Sequence, residues 1–202
     1  MQHIPDVIYQ AVAKYLSVNN FDSSHDIGHA NRVAVNCAAI IEIGKYDSII
    51  DKTTVITAGF VHDTVDSKYV GDAAQTIVRS MLELHFDAVT CDDILLIINN
   101  ISYSKRVARQ SMGLKMIDMA TERLQLMAEI VCDADMLDAY DPQRCIDYGI
   151  NKLGLGADVN KHVKKILCER VLLYRDHFFN TSAGRELSAP LHDKLALYVL
   201  ML

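Results

Sequence analysis

Apolar side chains recur at intervals of three and four residues along nearly the whole chain, and this period restricts it to a helical fold. Between Ile4 and Leu16 it sets Val7, Ile8, Val12 and Leu16 on one face. Ser23 or Ser24 reads as the N-cap of a second helix, with Asp26 near its positive end; the helix runs to about Ile43 and stops at Gly44. A third helix is expected near Asp51–Val61. Gly71-Asp72 opens another that reaches Leu84, and Asp92-Asp93 caps Ile94–Ile98. Ser102–Lys115 is polar and basic, a loop or a broken helix. Thr121 caps a helix ending near Leu137, and Asp141-Pro142 starts the next with proline at the first helical position. Val159–Phe179 and Gly184–Leu202 complete the set, the last with a kink expected at Pro190. No alternating run is long enough for a strand; Val89-Thr90 and Val70 are too isolated. The expected architecture is all-α, one compact domain over residues 1–202 with about eight helices.

Composition supports this. Half of the 202 residues are apolar, enough for a well-filled core, and three prolines and nine glycines exclude a disordered or collagen-like chain. No apolar run is long enough to span a bilayer, and the first residues lack the basic and apolar regions of a signal peptide. A soluble protein is expected. Five cysteines (Cys37, Cys91, Cys132, Cys145 and Cys168) are scattered without a CxxC pair, which points to free thiols in a reducing compartment, the cytoplasm. A net charge of −6 provides no basic field for a long nucleic acid. A small phosphorylated substrate needs only local positive charge.

Four side chains carry the chemistry: His29, His62, Asp63 and Asp135. His62-Asp63 ends the apolar stretch Ala58-Gly59-Phe60-Val61, where an ionisable pair is costly unless coordinated or paired. Asp135 follows Ile130-Val131 on a similarly apolar helix. His29 shares a helix face with Arg32 and Asn36, amid small apolar residues. Three helices thus carry ionisable groups out of apolar segments, and one shared metal explains all three. Two imidazoles with two carboxylates form an N2O2 set that favours Mn, Fe, Co, Ni or Zn over Mg or Ca.

Two further His-Asp pairs compete. His192-Asp193, beside Lys194, reads as solvated surface of the last helix. His25-Asp26 lies at a helix start, where Asp26 caps and His25 is a candidate substrate contact. For the distal carboxylate, Asp133 competes with Asp135.

The ordered set resembles the signature of the HD-domain metal-dependent phosphohydrolases, an all-helical superfamily. In that pattern a first His, an adjacent His-Asp and a later Asp bind the catalytic metal, matching His29, His62-Asp63 and Asp135. The similarity is greater to small bacterial-type members with nucleotide substrates. It rests on Ser24-His25-Asp26 before His29, Arg32-Val33 after it, Val61-His62-Asp63-Thr64-Val65-Asp66-Ser67-Lys68 and Asp133-Ala134-Asp135-Met136-Leu137-Asp138-Ala139, with a weaker echo at Thr181-Ser182-Ala183-Gly184-Arg185. It spans about residues 20–190 and selects Asp135 over Asp133, with Asp138 supporting it from behind. Binuclear members carry further histidines between the His-Asp pair and the last Asp; only His85 lies there, so one metal ion, manganese foremost, is expected.

The resemblance implies a divalent-metal phosphohydrolase. Asp66, three residues beyond Asp63, is the candidate base or water-orienting group. Arg32 and Lys68 are the candidate phosphate contacts. Lys105, Arg106 and Arg109 follow Tyr103, and this segment could close over a polyphosphate with Tyr103 against a base. The expected reaction is cleavage of a nucleoside triphosphate, deoxy forms included, to monophosphate and pyrophosphate. Alternatives are a 5′-nucleotidase, a noncatalytic metal- or nucleotide-binding module, and a helical di-iron oxygenase, the last disfavoured by the missing histidines. Two departures from the pattern, Met136 where a basic residue is frequent and Tyr140-Asp141-Pro142 where glycine usually follows, bear on base and sugar selectivity. The apolar tail Leu195–Leu202 leaves a monomer or a homodimer open.

Overall fold

The computed structural model describes residues 4–66, 70–71, 73–151, 154–156 and 158–202, with only the backbone described at Tyr148 and Asn151. Among these residues there is no strand and there are eleven α-helical segments: α1 (Asp6–Val18), α2 (Ile27–Gly44), α3 (Lys52–Val61), α4 (Ala74–Leu82), α5 (Ala88–Asn100), α6 (Tyr103–Ser111), α7 (Glu122–Asp138), α8 (Pro142–Asn151), α9 (Val159–Glu169), α10 (Tyr174–His177) and α11 (Ser182–Met201). The all-α expectation holds, with more and shorter helices than the period alone suggested. No helix of the described residues is long and apolar enough to cross a membrane.

The centre is α3. Every residue from Thr54 to Val61 is buried, as expected of a helix that is apolar all round. It packs against α2, α5 and α7, and α2 in turn lies along α7. A helix so enclosed carries its C-terminal end into the interior, where the chain passes directly into a 3-10 turn, His62–Val65.

Several boundaries differ for local reasons. Asp26, not Ser23 or Ser24, caps α2 by accepting from the His29 backbone N–H at 3.0 Å. Ser24 is diverted to Asp22, 2.5 Å from its Oγ. At the other end Lys45 takes the left-handed conformation (φ 55°), and the Tyr46 ring fills the space a Cβ on Gly44 would need. Asp87 rather than Asp92-Asp93 caps α5, accepting from Thr90 N at 2.8 Å. Asp92 and Asp93 instead meet Arg79 and Arg123 on the surface. Ser102–Lys115 contains the helix α6, and Val159–Phe179 is broken at Arg170, where φ −133° and ψ −66° end α9. Val7, expected on the core face of α1, is 43% exposed, while Ile8, Val12 and Leu16 are buried. In the tail, Leu195 and Val199 join the core, whereas Leu197, Leu200 and Met201 are exposed.

Candidate metal centre

The Asp26 cap fixes the first turn of α2 and points His29 inward, fully buried. His29 Nδ1 lies 2.7 Å from Asp138 Oδ2 at the end of α7. A carboxylate only accepts, so Nδ1 carries the proton and Nε2 keeps its lone pair. His62 is held the same way, its Nδ1 donating to the Gly59 carbonyl at 2.8 Å. The two Nε2 atoms then face each other at 3.3 Å. Two lone pairs cannot hydrogen-bond each other. A cation between them, a proton or a metal ion, resolves the conflict.

The carboxylates complete the cage. His29 Nε2 lies 3.1 Å from Asp63 Oδ2 and 3.6 Å from Asp135 Oδ1. His62 Nε2 lies 3.2 Å from Asp63 Oδ1 and 3.7 Å from Asp135 Oδ1. Donor atoms each about 2.1 Å from one ion are separated by about 3.0–3.5 Å at right-angled or tetrahedral corners, so this set fits a divalent transition metal. Asp63 Oδ2 is buried without a hydrogen bond among the described residues, a lone pair open to such an ion. Electrostatics agree. Burial opposes protonation of His62, but Asp63 and Asp135 outweigh it and push the imidazole up to about 9. Burial likewise opposes ionisation of Asp63 and Asp135, yet the imidazoles of His62 and His29, with Arg144 beside Asp135, hold both carboxyls below the usual range. Potential that draws a proton onto Nε2 also draws a metal cation.

Asp133, the rival of Asp135, has another task. It is fully buried and accepts from Asn180 and Thr181 ahead of α11. Asp66 and His25 reach the site, their donor atoms lying with one from Asp63 within 4.8 Å of one another. Burial pushes the His25 imidazole down, towards the neutral form. Lys68 lies outside the described residues.

Other expected contacts are redirected. Arg32 donates through Nε to Asp138 Oδ1 at 2.6 Å and lines a separate cavity with Lys194 and Leu191, away from the Asp135 side. Its fork is committed to the carboxylate that orients His29. Asn36, which shares the His29 face in sequence, donates to the Ala134 carbonyl at 3.0 Å and bridges α2 to α7. The basic segment divides by helix face: Lys105 donates to the Asn99 carbonyl and Arg109 to Lys115 on the outside, while Arg106 turns inward. Tyr103 has the Arg170 guanidinium 3.8 Å over one face of its ring, so that face is not open to a base. His85 packs edge-on against Phe86, apart from the cage. His192 is half-buried against Tyr140 rather than solvated, while Asp193 is exposed.

The residue missed from the sequence is Arg144. Its Nη1 donates to Asp135 Oδ1 at 3.2 Å, its Nη2 to His29 Nε2 at 3.1 Å, and its Nε to the Ser24 carbonyl at 3.0 Å. One signal was available: an arginine in the first turn of a helix opposes the helix dipole and needs carboxylates nearby. Asp138 gives a direct test of the cage, because it sets the tautomer and basicity of His29. Asp138→Asn is expected to weaken Mn binding about 10- to 100-fold in a direct metal titration while leaving the far-ultraviolet circular dichroism unchanged.

No protein-family model matches the sequence, and no curated protein does. Solved structures do. YpgQ of Bacillus subtilis in complex with ADP aligns with a TM-score of 0.67 and 23% identity, over 97% of this chain and 91% of that one. A Lactobacillus plantarum protein aligns with a TM-score of 0.71 and 18% identity, over 97% and 93%. An HD-superfamily hydrolase of Bacillus thuringiensis aligns with a TM-score of 0.65 and 20% identity, over 97% and 94%. At these identities the likeness establishes the fold.

Proposed function

We propose that this chain, which has the fold of an HD-superfamily hydrolase, is a divalent-metal-dependent phosphohydrolase of nucleotides, cleaving nucleoside triphosphates, deoxy forms included, to monophosphate and pyrophosphate. What supports this reading above all is the cage in which two buried Nε2 lone pairs meet two carboxylates beside a cavity lined by arginines. The structure of YpgQ with ADP adds weight to a nucleotide. Manganese suits the N2O2 set.

His29, His62, Asp63 and Asp135 would hold the ion. When bound, it supplies charge that lowers the pKa of a water and polarises a phosphoryl oxygen. The rest falls to the chain itself. Asp66, grouped with His25 and Asp63, takes the proton as the water oxygen bonds to the α-phosphorus. The bond from that phosphorus to the α–β bridging oxygen breaks, and pyrophosphate leaves with that oxygen and its electron pair. Arg144, at the rim of the cage, replaces Arg32 as the cation nearest the reacting phosphoryl group. Lys68 follows Asp66 in the chain and is assigned a phosphate contact from the sequence. Its five thiols are free, which suits a cytoplasmic protein.

A panel of nucleotides incubated with the protein and Mn tests this. Pyrophosphate release from triphosphates is the expected result. Phosphate release confined to monophosphates would make the protein a 5′-nucleotidase, and no release at all would leave a noncatalytic binding module.

A further inference from the structure

Beside Asp135 lies a cavity of about 200 Å³ into which Arg106, Arg144 and Arg170 converge from three different parts of the chain. Asp135 is the one carboxylate among its described lining residues. Arg106, on α6, is 1% exposed. Its Nε donates to the Ile101 carbonyl at 3.2 Å, and its Nη1 is buried with no hydrogen-bond partner among the described residues. A guanidinium does not shed its charge at any ordinary pH, so burial without a counter-ion carries a large desolvation penalty. The rings of Tyr103 and Phe178, each 5.9 Å from its Cζ, offset only part of it. Arg170 is held in place from two sides, stacked on Tyr103 and donating through Nε to the Tyr174 hydroxyl at 2.6 Å. These supports orient two cations towards one small space without neutralising either.

We propose that this cavity seats the diphosphate tail of the substrate, with Arg106 at its inner end and the nucleoside outside it. Arg106 and Arg170 bring two guanidinium forks that pair with no carboxylate among the described residues, with Arg144 bound to Asp135 beside them, and two such forks suit two linked phosphates better than one. The volume argues the same way, since about 200 Å³ lies below the roughly 300 Å³ and more that drug-sized ligands occupy. The site therefore reads phosphate-chain length: it holds the leaving pyrophosphate, and a monophosphate leaves it unfilled. This assignment rests on the hydrolase reading for its role in turnover, but not for binding.

Calorimetric titration of the full chain with inorganic pyrophosphate, without divalent metal, reads the subsite directly. Arg106→Gln and Arg170→Gln are each expected to weaken pyrophosphate binding at least about tenfold, with Mn binding unchanged and the KM for a triphosphate raised. Arg106 is buried and its replacement could unfold the chain; Arg170, which is exposed, provides the variant that keeps the test decisive. Pyrophosphate affinity in folded Arg170→Gln within about twofold of the parent would overturn the proposal, as would no binding by the parent. Arginine-dependent pyrophosphate binding in a protein that hydrolyses no nucleotide would uphold the subsite and reject the hydrolase reading alone. Hydrolysis with a KM indifferent to both substitutions would reject the subsite alone.

Discussion

Replacing His62 or Asp135 with alanine is expected to lower kcat/KM for nucleotide hydrolysis by at least about a thousandfold, because each change removes one corner of the cage. A water with a pKa near 15.7 is a poor nucleophile at neutral pH, and an ion held by His29, His62, Asp63 and Asp135 would lower that pKa. His62 is the more exacting of the two. It starts the turn that ends the fully buried α3, so no neighbouring side chain can swing into its place. Its loss also leaves Asp63 and Asp135 without the imidazole that stabilises their charge. The Mn content of each variant after dialysis should fall below one ion per chain, with circular dichroism confirming an intact helical fold. Activity that survives both substitutions would place the chemistry elsewhere.

Asp133→Ala is expected to act on stability, not chemistry. The carboxylate accepts from Asn180 N at 2.9 Å, Asn180 Nδ2 at 2.7 Å, Thr181 N at 2.8 Å and Thr181 Oγ1 at 2.8 Å. Thr181 Oγ1 in turn caps α11 by accepting from Gly184 N at 2.9 Å. Gly184 permits the approach, since a Cβ there would run into the Asp133 carboxylate. Burial pushes this carboxyl up to about 6, against four donors that favour its charge. Alanine would strip the acceptor from two backbone N–H groups at the start of α11 and uncouple that helix from α7. A loss of about 3–5 kcal/mol is expected, or a fall in Tm on the order of 10 °C for a chain of this size. Calorimetry on Asp133→Ala and Asp135→Ala side by side makes the test: the first should melt far below the parent, the second close to it. Equal melting temperatures would mean that the Asp133 network contributes little.

The parts legible in the sequence are those specified by neighbours along the chain. Thr121 caps α7 and Pro142 opens α8 as their side chains dictate, because capping and the proline φ are decided within one turn. The start of α5 escaped because Asp87 and Asp92-Asp93 both offer capping carboxylates, and only the packing of Cys91 into the core selects the first. The break at Arg170 has no proline or glycine to announce it; there the chain turns so that the guanidinium meets Tyr103. Arg32 and Arg144 show the same limit within the site. Both are arginines near helix starts, and the choice of which lies against the cage depends on where the end of α7 places Asp138 and Asp135.

Taken alone, the sequence determined the helical period and the apolar helix that carries His62-Asp63 inward, and it offered His29, His62, Asp63 and either Asp133 or Asp135 as candidate donors, because each depends on residue type and short-range spacing. Tertiary structure decided the rest. It turned two histidine Nε2 atoms towards each other across 33 residues of chain, gave Asp133 to α11 and Asp135 to the cage, and buried Arg106 in the wall of the neighbouring cavity with one hydrogen-bond donor unmet among the described residues. Charge interactions act through space over a few ångströms, and which charges share that space is decided only when the helices pack.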